Sequence, residues 1–108
     1  MLFRMDTEIE RRWSRAVAET LRAERGIANQ SQAEAVRKAD ITRTSYRLYE
    51  LGERTPTAVQ LASIAQAFGI TFSKLLGEIE RRAELLKSST YKVAALGSPG
   101  GRFLLHIS

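Results

Sequence analysis

Residues 31–50 read Ser31-Gln32-Ala33-Glu34-Ala35-Val36-Arg37-Lys38-Ala39-Asp40-Ile41-Thr42-Arg43-Thr44-Ser45-Tyr46-Arg47-Leu48-Tyr49-Glu50. Two helix starts lie inside this stretch. Ser31 and Glu34 have the S-x-x-E spacing of a capping box, in which the hydroxyl accepts from the backbone three residues on and the carboxylate reaches back. Thr42 is a good N-cap for a second helix. The first helix ends near Asp40 and the second is stopped by Gly52, so each has about two turns. Helices this short are marginal alone and have to be held by their neighbours.

Working outward, a long first helix is expected from Asp6 to about Ala28. Thr7 and Glu10 have capping-box spacing at its start. Ile9, Trp13, Val17 and Leu21 recur every four residues and make one apolar stripe, with Trp13 as a core residue. Asn29 closes it, since Asn tolerates the left-handed conformation a helix end needs. Beyond Gly52, Thr55 and Pro56 read as N-cap and first residue of a fourth helix. There Leu61, Ile64, Ala65 and Phe68 follow the spacing of a buried face, and Gly69 ends it. Thr71 caps a last helix that runs through Leu75 and Leu76 to about Lys87, either broken or merely weakened at Gly77. Tyr91–Leu96 and Arg102–Ile107 then flank Gly97-Ser98-Pro99-Gly100-Gly101 and read as a β-hairpin with Phe103, Leu105 and Ile107 on one face.

The chain has 108 residues, 44% of them hydrophobic and 27% charged, which suits one small globular domain with a modest core. It has no cysteine, which removes disulfides, thiolate metal sites and cysteine nucleophiles. Its single histidine, His106, argues against His-based metal sites and a Ser–His–Asp triad. No carboxylate pair has an activating neighbour, and Glu78, Glu80 and Glu84 are spaced like a solvated helix face, so an enzyme is not expected. No metal or cofactor is expected either. The formal charge of +5 favours a polyanionic partner, though only weakly. No segment reaches the roughly 18 consecutive apolar residues of a membrane span, and Met1–Glu10 lacks the apolar run of a secretory signal. A reducing, cytoplasmic setting is the expectation.

Two short helices joined by the tight connection Ala39-Asp40-Ile41-Thr42 have the spacing of a helix-turn-helix, whose second helix enters the DNA major groove. Ser31-Gln32, then Ile41-Thr42-Arg43-Thr44-Ser45, then Glu50, Gly52, Arg54 and Pro56 resemble the Cro/repressor (Xre-type) helix-turn-helix family. Leu61-Ala62-Ser63-Ile64-Ala65-Gln66-Ala67-Phe68-Gly69-Ile70, followed by Leu75-Leu76, resembles that family's last two helices. The resemblance covers about residues 17–76. It implies a mainly α, five-helix domain; outside the resemblance, residues 1–16 are expected to extend helix 1 and residues 77–108 to form a C-terminal helix and hairpin. It further implies a sequence-specific DNA-binding regulator, usually dimeric, bacterial or phage-encoded, cytoplasmic and associated with the nucleoid.

Carried over position by position, the resemblance makes Arg43 and Thr44 base-reading residues at the start of the recognition helix, with Arg47 and Leu48 beside them. An arginine there can bond both O6 and N7 of guanine. Leu48 stands where a long polar residue is commoner. It either meets a thymine methyl or packs on its own chain. Gln32, at the first turn of the motif's first helix, matches a phosphate-binding glutamine, where helix N-H groups favour an anion; the other reading is a solvated polar residue. Ser31, Thr42 and Arg54 are further phosphate contacts, and Tyr49 is mainly core with its hydroxyl reaching a phosphate. Tyr46 is core. Arg25 and Glu50 match an ion pair that fixes the recognition helix against helix 1; the other reading is two exposed charges that never meet. Asn29 replaces the family's glycine, and Gln30 stands where the family buries leucine, so that turn is more polar here.

Ile79, Ala83 and Leu86 form a second apolar stripe. With Phe103, Leu105 and Ile107 it reads as a dimer interface; the other arrangement folds the hairpin back on helix 1 of a monomer. A dimer would bind a pseudo-palindromic operator as a transcriptional repressor. The alternative is a DNA-binding antitoxin whose hairpin docks on a protein partner.

Overall fold

The computed structural model describes residues 8–96, with side chains from 8 to 87. Five helices follow one another: α1 Glu8–Ile27, α2 Gln32–Ala39, α3 Arg43–Leu51, α4 Ala58–Phe68 and α5 Phe72–Leu96. The long α1 packs against α5 on one side and α3 on the other, while α2 sits on α3 and α4. Among the described residues there is no strand.

Sequence punctuation sets these boundaries. Asn29 lies at φ 57° and closes α1, with Gln30 N–H donating to the Arg25 carbonyl at 3.1 Å and Asn29 N–H to that of Gly26 at 3.0 Å, the paired bonds of a Schellman motif. The Ser31–Glu34 capping box opens α2, and Asp40 closes it in the left-handed region at φ 58°. Thr42 Oγ1 accepts from Ser45 N–H at 3.2 Å to open α3, and Gly52 at φ 77° ends it. Thr71 caps α5 through Lys74 N–H at 3.0 Å. Thr7, the expected cap of α1, lies outside the described residues.

The start of α4 differs from expectation. Its N-cap is Thr57, not Thr55, and Pro56 is a buried loop residue before the cap. The reason is Gln60, which completes a capping box: its side chain accepts from Thr57 N–H at 2.9 Å while Thr57 Oγ1 accepts from Gln60 N–H at 3.1 Å. Thr55 has no such partner three residues on.

The end of α5 differs more. Gly77 leaves the helix intact, and Tyr91–Leu96, expected as the first hairpin strand, is its last stretch. A helix already formed extends at little cost compared with nucleating a new element, and Ala94, Ala95 and Leu96 are strong helix formers. Arg102–Ile107 lies outside the described residues, as do Phe103, Leu105, His106 and Ile107 within it. The boundaries expected at 16/17 and 76/77 fall inside continuous helices, α1 and α5.

Leu21, Tyr46, Ile64, Leu75 and Ile79 are wholly or almost wholly buried and form the centre of the core. Val17 and Leu21 carry the expected α1 stripe, and Trp13 packs partly buried at its edge. Ile9 is in register with them but 61% exposed. Ile79 and Ala83, expected at a dimer interface, are instead buried in the chain's own core, and Leu86 packs against it half-buried. Their partner is α1, which α5 covers more extensively than any other helix pair meets. Arg82 reinforces that seam by donating to Thr20 Oγ1 at 3.2 Å. No single helix among the described residues is long and apolar enough to cross a membrane.

Candidate nucleic-acid interface

The face of α3 turned away from the core carries Arg43, Thr44 and Arg47, all exposed, with Leu48 half-buried beside them. Spacings of four residues, 43 to 47 and 44 to 48, place all of them on one side of the helix. The opposite side is anchored by Tyr46, Tyr49 and Glu50, each buried. The short α3 thus has one face fixed by packing and one face of long donors left in solvent.

Its orientation is locked by Arg25. The guanidinium forks onto Glu50, Nε donating to Oε2 at 2.7 Å and Nη2 to Oε1 at 3.1 Å. Glu50 keeps 4% of its side-chain surface exposed and Arg25 keeps 23%, so the expected pair forms and is largely desolvated. Burial by itself pushes the Glu50 carboxyl up; donation from Arg25 and Gln32 outweighs it and holds the group below the usual glutamate range. Arg25 is correspondingly pushed above its ordinary value by its bonds to Glu50. Tyr46 stands beside this carboxylate, outside hydrogen-bond geometry, and burial drives its hydroxyl well above the ordinary tyrosine value.

Gln32 couples the two helices of the motif. Its Nε2 donates to Glu50 Oε1 at 2.9 Å, which uses one amide hydrogen and leaves the second for an anion. The backbone N–H groups of Gln32 and Ala33, at the start of α2, have no acceptor within the helix. Ser31 Oγ accepts from Glu34 N–H at 3.1 Å, and its own hydrogen remains a donor. These groups together with Arg54, whose Nη1 reaches Ser45 Oγ at 3.3 Å, border the exposed face of α3. Thr42 is exposed at the N-terminus of α3. Tyr49 is not part of this surface: it is buried, and its hydroxyl donates to Gln60 Oε1 at 2.7 Å inside the α4 capping box.

Three further interactions were not expected from the sequence, and they share one logic. Helix ends leave carbonyl oxygens without intrahelical donors. Here each short helix receives a donor from elsewhere in the fold. Ser63 Oγ donates to the Ala39 carbonyl at the end of α2, at 2.7 Å. Arg22 Nη1 donates to the Glu50 carbonyl near the end of α3. Gln30 Nε2 donates to the Ala67 carbonyl near the end of α4, at 2.9 Å. For Arg22 the signal in the sequence is its place one helical turn before Arg25. Ser63 and Gln30 carry no comparable mark, because their acceptors are backbone atoms.

Two short helices at this spacing, a locked recognition helix and an exposed basic face on it define a DNA-binding helix-turn-helix domain of the Cro/C1 type. Comparison with known families agrees: the helix-turn-helix family matches residues 21–75, and the chain belongs to it. Among curated proteins, the cryptic phage CTXphi transcriptional repressor RstR of Vibrio cholerae serotype O1 is 38% identical over 61 residues. That alignment covers 56% of this chain and 54% of the relative, so the chain spans about half the length of the curated protein it matches.

Proposed function

We propose that this protein is a sequence-specific transcriptional repressor that reads its operator through α3. The observation that carries this reading is the division of α3 into a core face locked by Arg25–Glu50 and a solvent face bearing Arg43, Thr44 and Arg47. Arg43 and Arg47 supply donors for guanine edges, Thr44 supplies a hydroxyl, and the half-buried Leu48 offers an apolar contact to a thymine methyl. Ser31, Gln32, Thr42 and Arg54 position the domain on the phosphates. The similarity to a phage repressor supports the direction of regulation.

A two-fold dimer on a pseudo-palindromic operator remains part of this proposal, with recognition helices roughly 34 Å or a multiple apart. Ile79 and Ala83 do not belong to its interface. The antitoxin alternative rested on a hairpin whose first half is helical, and it loses that support. Selection of duplexes from a random pool tests the reading. A conserved, two-fold-related consensus supports it; absence of any enriched sequence refutes it.

A further inference from the structure

The family match begins at residue 21, but α1 begins at Glu8, so thirteen residues of helix, about 20 Å at 1.5 Å per residue, precede it. This added length runs beside the loop that leaves α3. Ser14 Oγ and Thr55 Oγ1 are 2.8 Å apart and tie the two together. Between them lies an open groove of about 740 Å³, walled by α1 on one side and residues 51–55 on the other.

The groove has a charge pattern. Arg11, Arg15 and Arg22, spaced four and seven residues apart, fall on one stripe of α1 and all line it, and Arg54 lines the opposite wall. Three glutamates also line it, and Glu19 pairs with Arg15 at 2.9 Å in an exposed contact. Arg22 and Arg54 are placed differently. Arg22 donates to the Glu50 carbonyl and Arg54 to the Ser45 hydroxyl, both neutral acceptors. Each guanidinium is thereby oriented by a bond that does not neutralise it. The groove is also continuous with the recognition surface: Arg22 bonds the backbone of Glu50, whose carboxylate holds Gln32, and Arg54 bonds Ser45 of α3 itself.

We propose that this groove seats DNA sugar–phosphate backbone next to the half-site read by α3. Arg15, Arg22 and Arg54 are the cations, and the Ser14–Thr55 hydroxyl pair lies between them. The inference rests on the DNA-binding reading above and extends it: Ser14 and Arg15, in the part of α1 that precedes the family match, join Arg22 and Arg54 inside it to lengthen the footprint without reading bases. Duplex DNA carries one charge per about 1.7 Å of axis, so arginines spaced along this groove can each meet a phosphate.

The test uses the full chain and the duplex selected for it, with affinity measured across a salt series. Arg15→Gln with Arg22→Gln should lower the slope of log affinity against log salt by about 1–2, near 0.9 for each phosphate no longer neutralised. Selected and scrambled duplexes should weaken by the same factor, the consensus should stay unchanged, and hydroxyl-radical protection should vanish at the outer phosphates. A double variant that melts with the wild type and keeps its slope and footprint overturns the proposal. If the double variant melts early, Arg15→Gln alone decides, since Arg15 is 68% exposed and its surface pair with Glu19 contributes little to folding. Its slope should fall by about 1, and an unchanged slope overturns the proposal. A wild type whose affinity for every duplex is independent of salt overturns the DNA-binding reading as well, whereas a variant equal to a salt-dependent wild type overturns only the groove.

Discussion

Arg25 holds both carboxylate oxygens of Glu50, at 2.7 Å and 3.1 Å, and through them fixes the angle at which α3 leaves the core. The same carboxylate accepts from Gln32 at the start of α2. One buried charge therefore sets the relation among α1, α2 and α3. Such pairs specify an arrangement more than they stabilise it, because desolvation offsets most of the Coulombic gain.

Removing one partner should therefore be far worse than removing both. Glu50→Ala strands the guanidinium and is expected to cost about 2–4 kcal/mol, a little below the range for fully buried pairs because Arg25 keeps some solvent. Arg25→Met with Glu50→Leu should recover much of that loss in urea denaturation, yet bind DNA less selectively because α3 is no longer held at one angle. Equal losses for the single and double variants would show that the pair itself stabilises the fold.

Acid should weaken the protein through the same residue. The Glu50 carboxyl is held below its ordinary value in the folded state, so near the ordinary glutamate pKa, about 4.3, the unfolded chain binds the extra proton. Stability from this group is thus present above that pH and is lost as pH falls through the lower folded value. Glu34 and Glu78 are lowered as well, Glu34 by the Ser31 backbone N–H and Glu78 by Arg81, and they add to the same limb. Glu50→Gln should flatten the acid side of a melting-temperature profile; a limb of unchanged steepness would assign it to the surface carboxylates.

Base readers and positioners should separate under mutation. Arg43→Ala is expected to relax preference at one position of each half-site and cost about 1–3 kcal/mol on the selected duplex. Gln32→Ala should weaken every duplex about equally, but it also removes a donor to Glu50, so its melting temperature should fall too. An unchanged consensus for Arg43→Ala would mean that α3 docks in another register.

The placement of Ile79 distinguishes a core from an interface. It is 2% exposed within a single chain, so Ile79→Ala should cost about 2–5 kcal/mol at any protein concentration. Leu85→Glu, at an exposed site on the same helix, should leave the melting temperature almost unchanged. A loss for Ile79→Ala that grows on dilution would put the residue between chains after all.

What the sequence could show follows from how local each feature is. Asn29, Gly52 and Gly69 mark their helix ends because a left-handed residue depends on its own backbone, and they stand where expected. The Ser31–Glu34 box is equally local. Thr55 and Thr57 are both plausible caps, and the choice turned on Gln60, which also receives the Tyr49 hydroxyl from another helix. Whether the Ile79–Ala83 stripe met its own chain or another was a question of tertiary packing that periodicity does not address. Tyr91 and Val93 carry strand propensity, but extension of an existing helix overrode it. Arg25–Glu50 was legible only through resemblance to a family, since the two residues are 25 positions apart.

Gln30 offers a way to improve on the natural sequence. Its Nε2 holds the Ala67 carbonyl at 2.9 Å, but its Oε1 is buried without a hydrogen-bond partner. The residue therefore combines one made bond with one orphaned acceptor. A typical bond contributes about 0.5–1.5 kcal/mol, whereas an unsatisfied buried polar atom costs about 1–3 kcal/mol. Gln30→Leu removes the orphaned oxygen but leaves the Ala67 carbonyl without its donor, and it adds apolar surface next to Ala67 and Phe68, which are buried at the end of α4. The Arg25 bond to the backbone oxygen of residue 30 is untouched, because it does not involve the side chain. One unsatisfied polar atom is thus exchanged for another and the apolar contact decides the sign, so the expected result is a gain of no more than about 0.5–1 kcal/mol in urea denaturation, with DNA affinity unchanged. Gln30→Ala, which loses the bond without filling the space, should be less stable than the leucine variant. A leucine variant that melts below the wild type would show that the Ala67 carbonyl needs its donor more than the core needs the missing methyl groups.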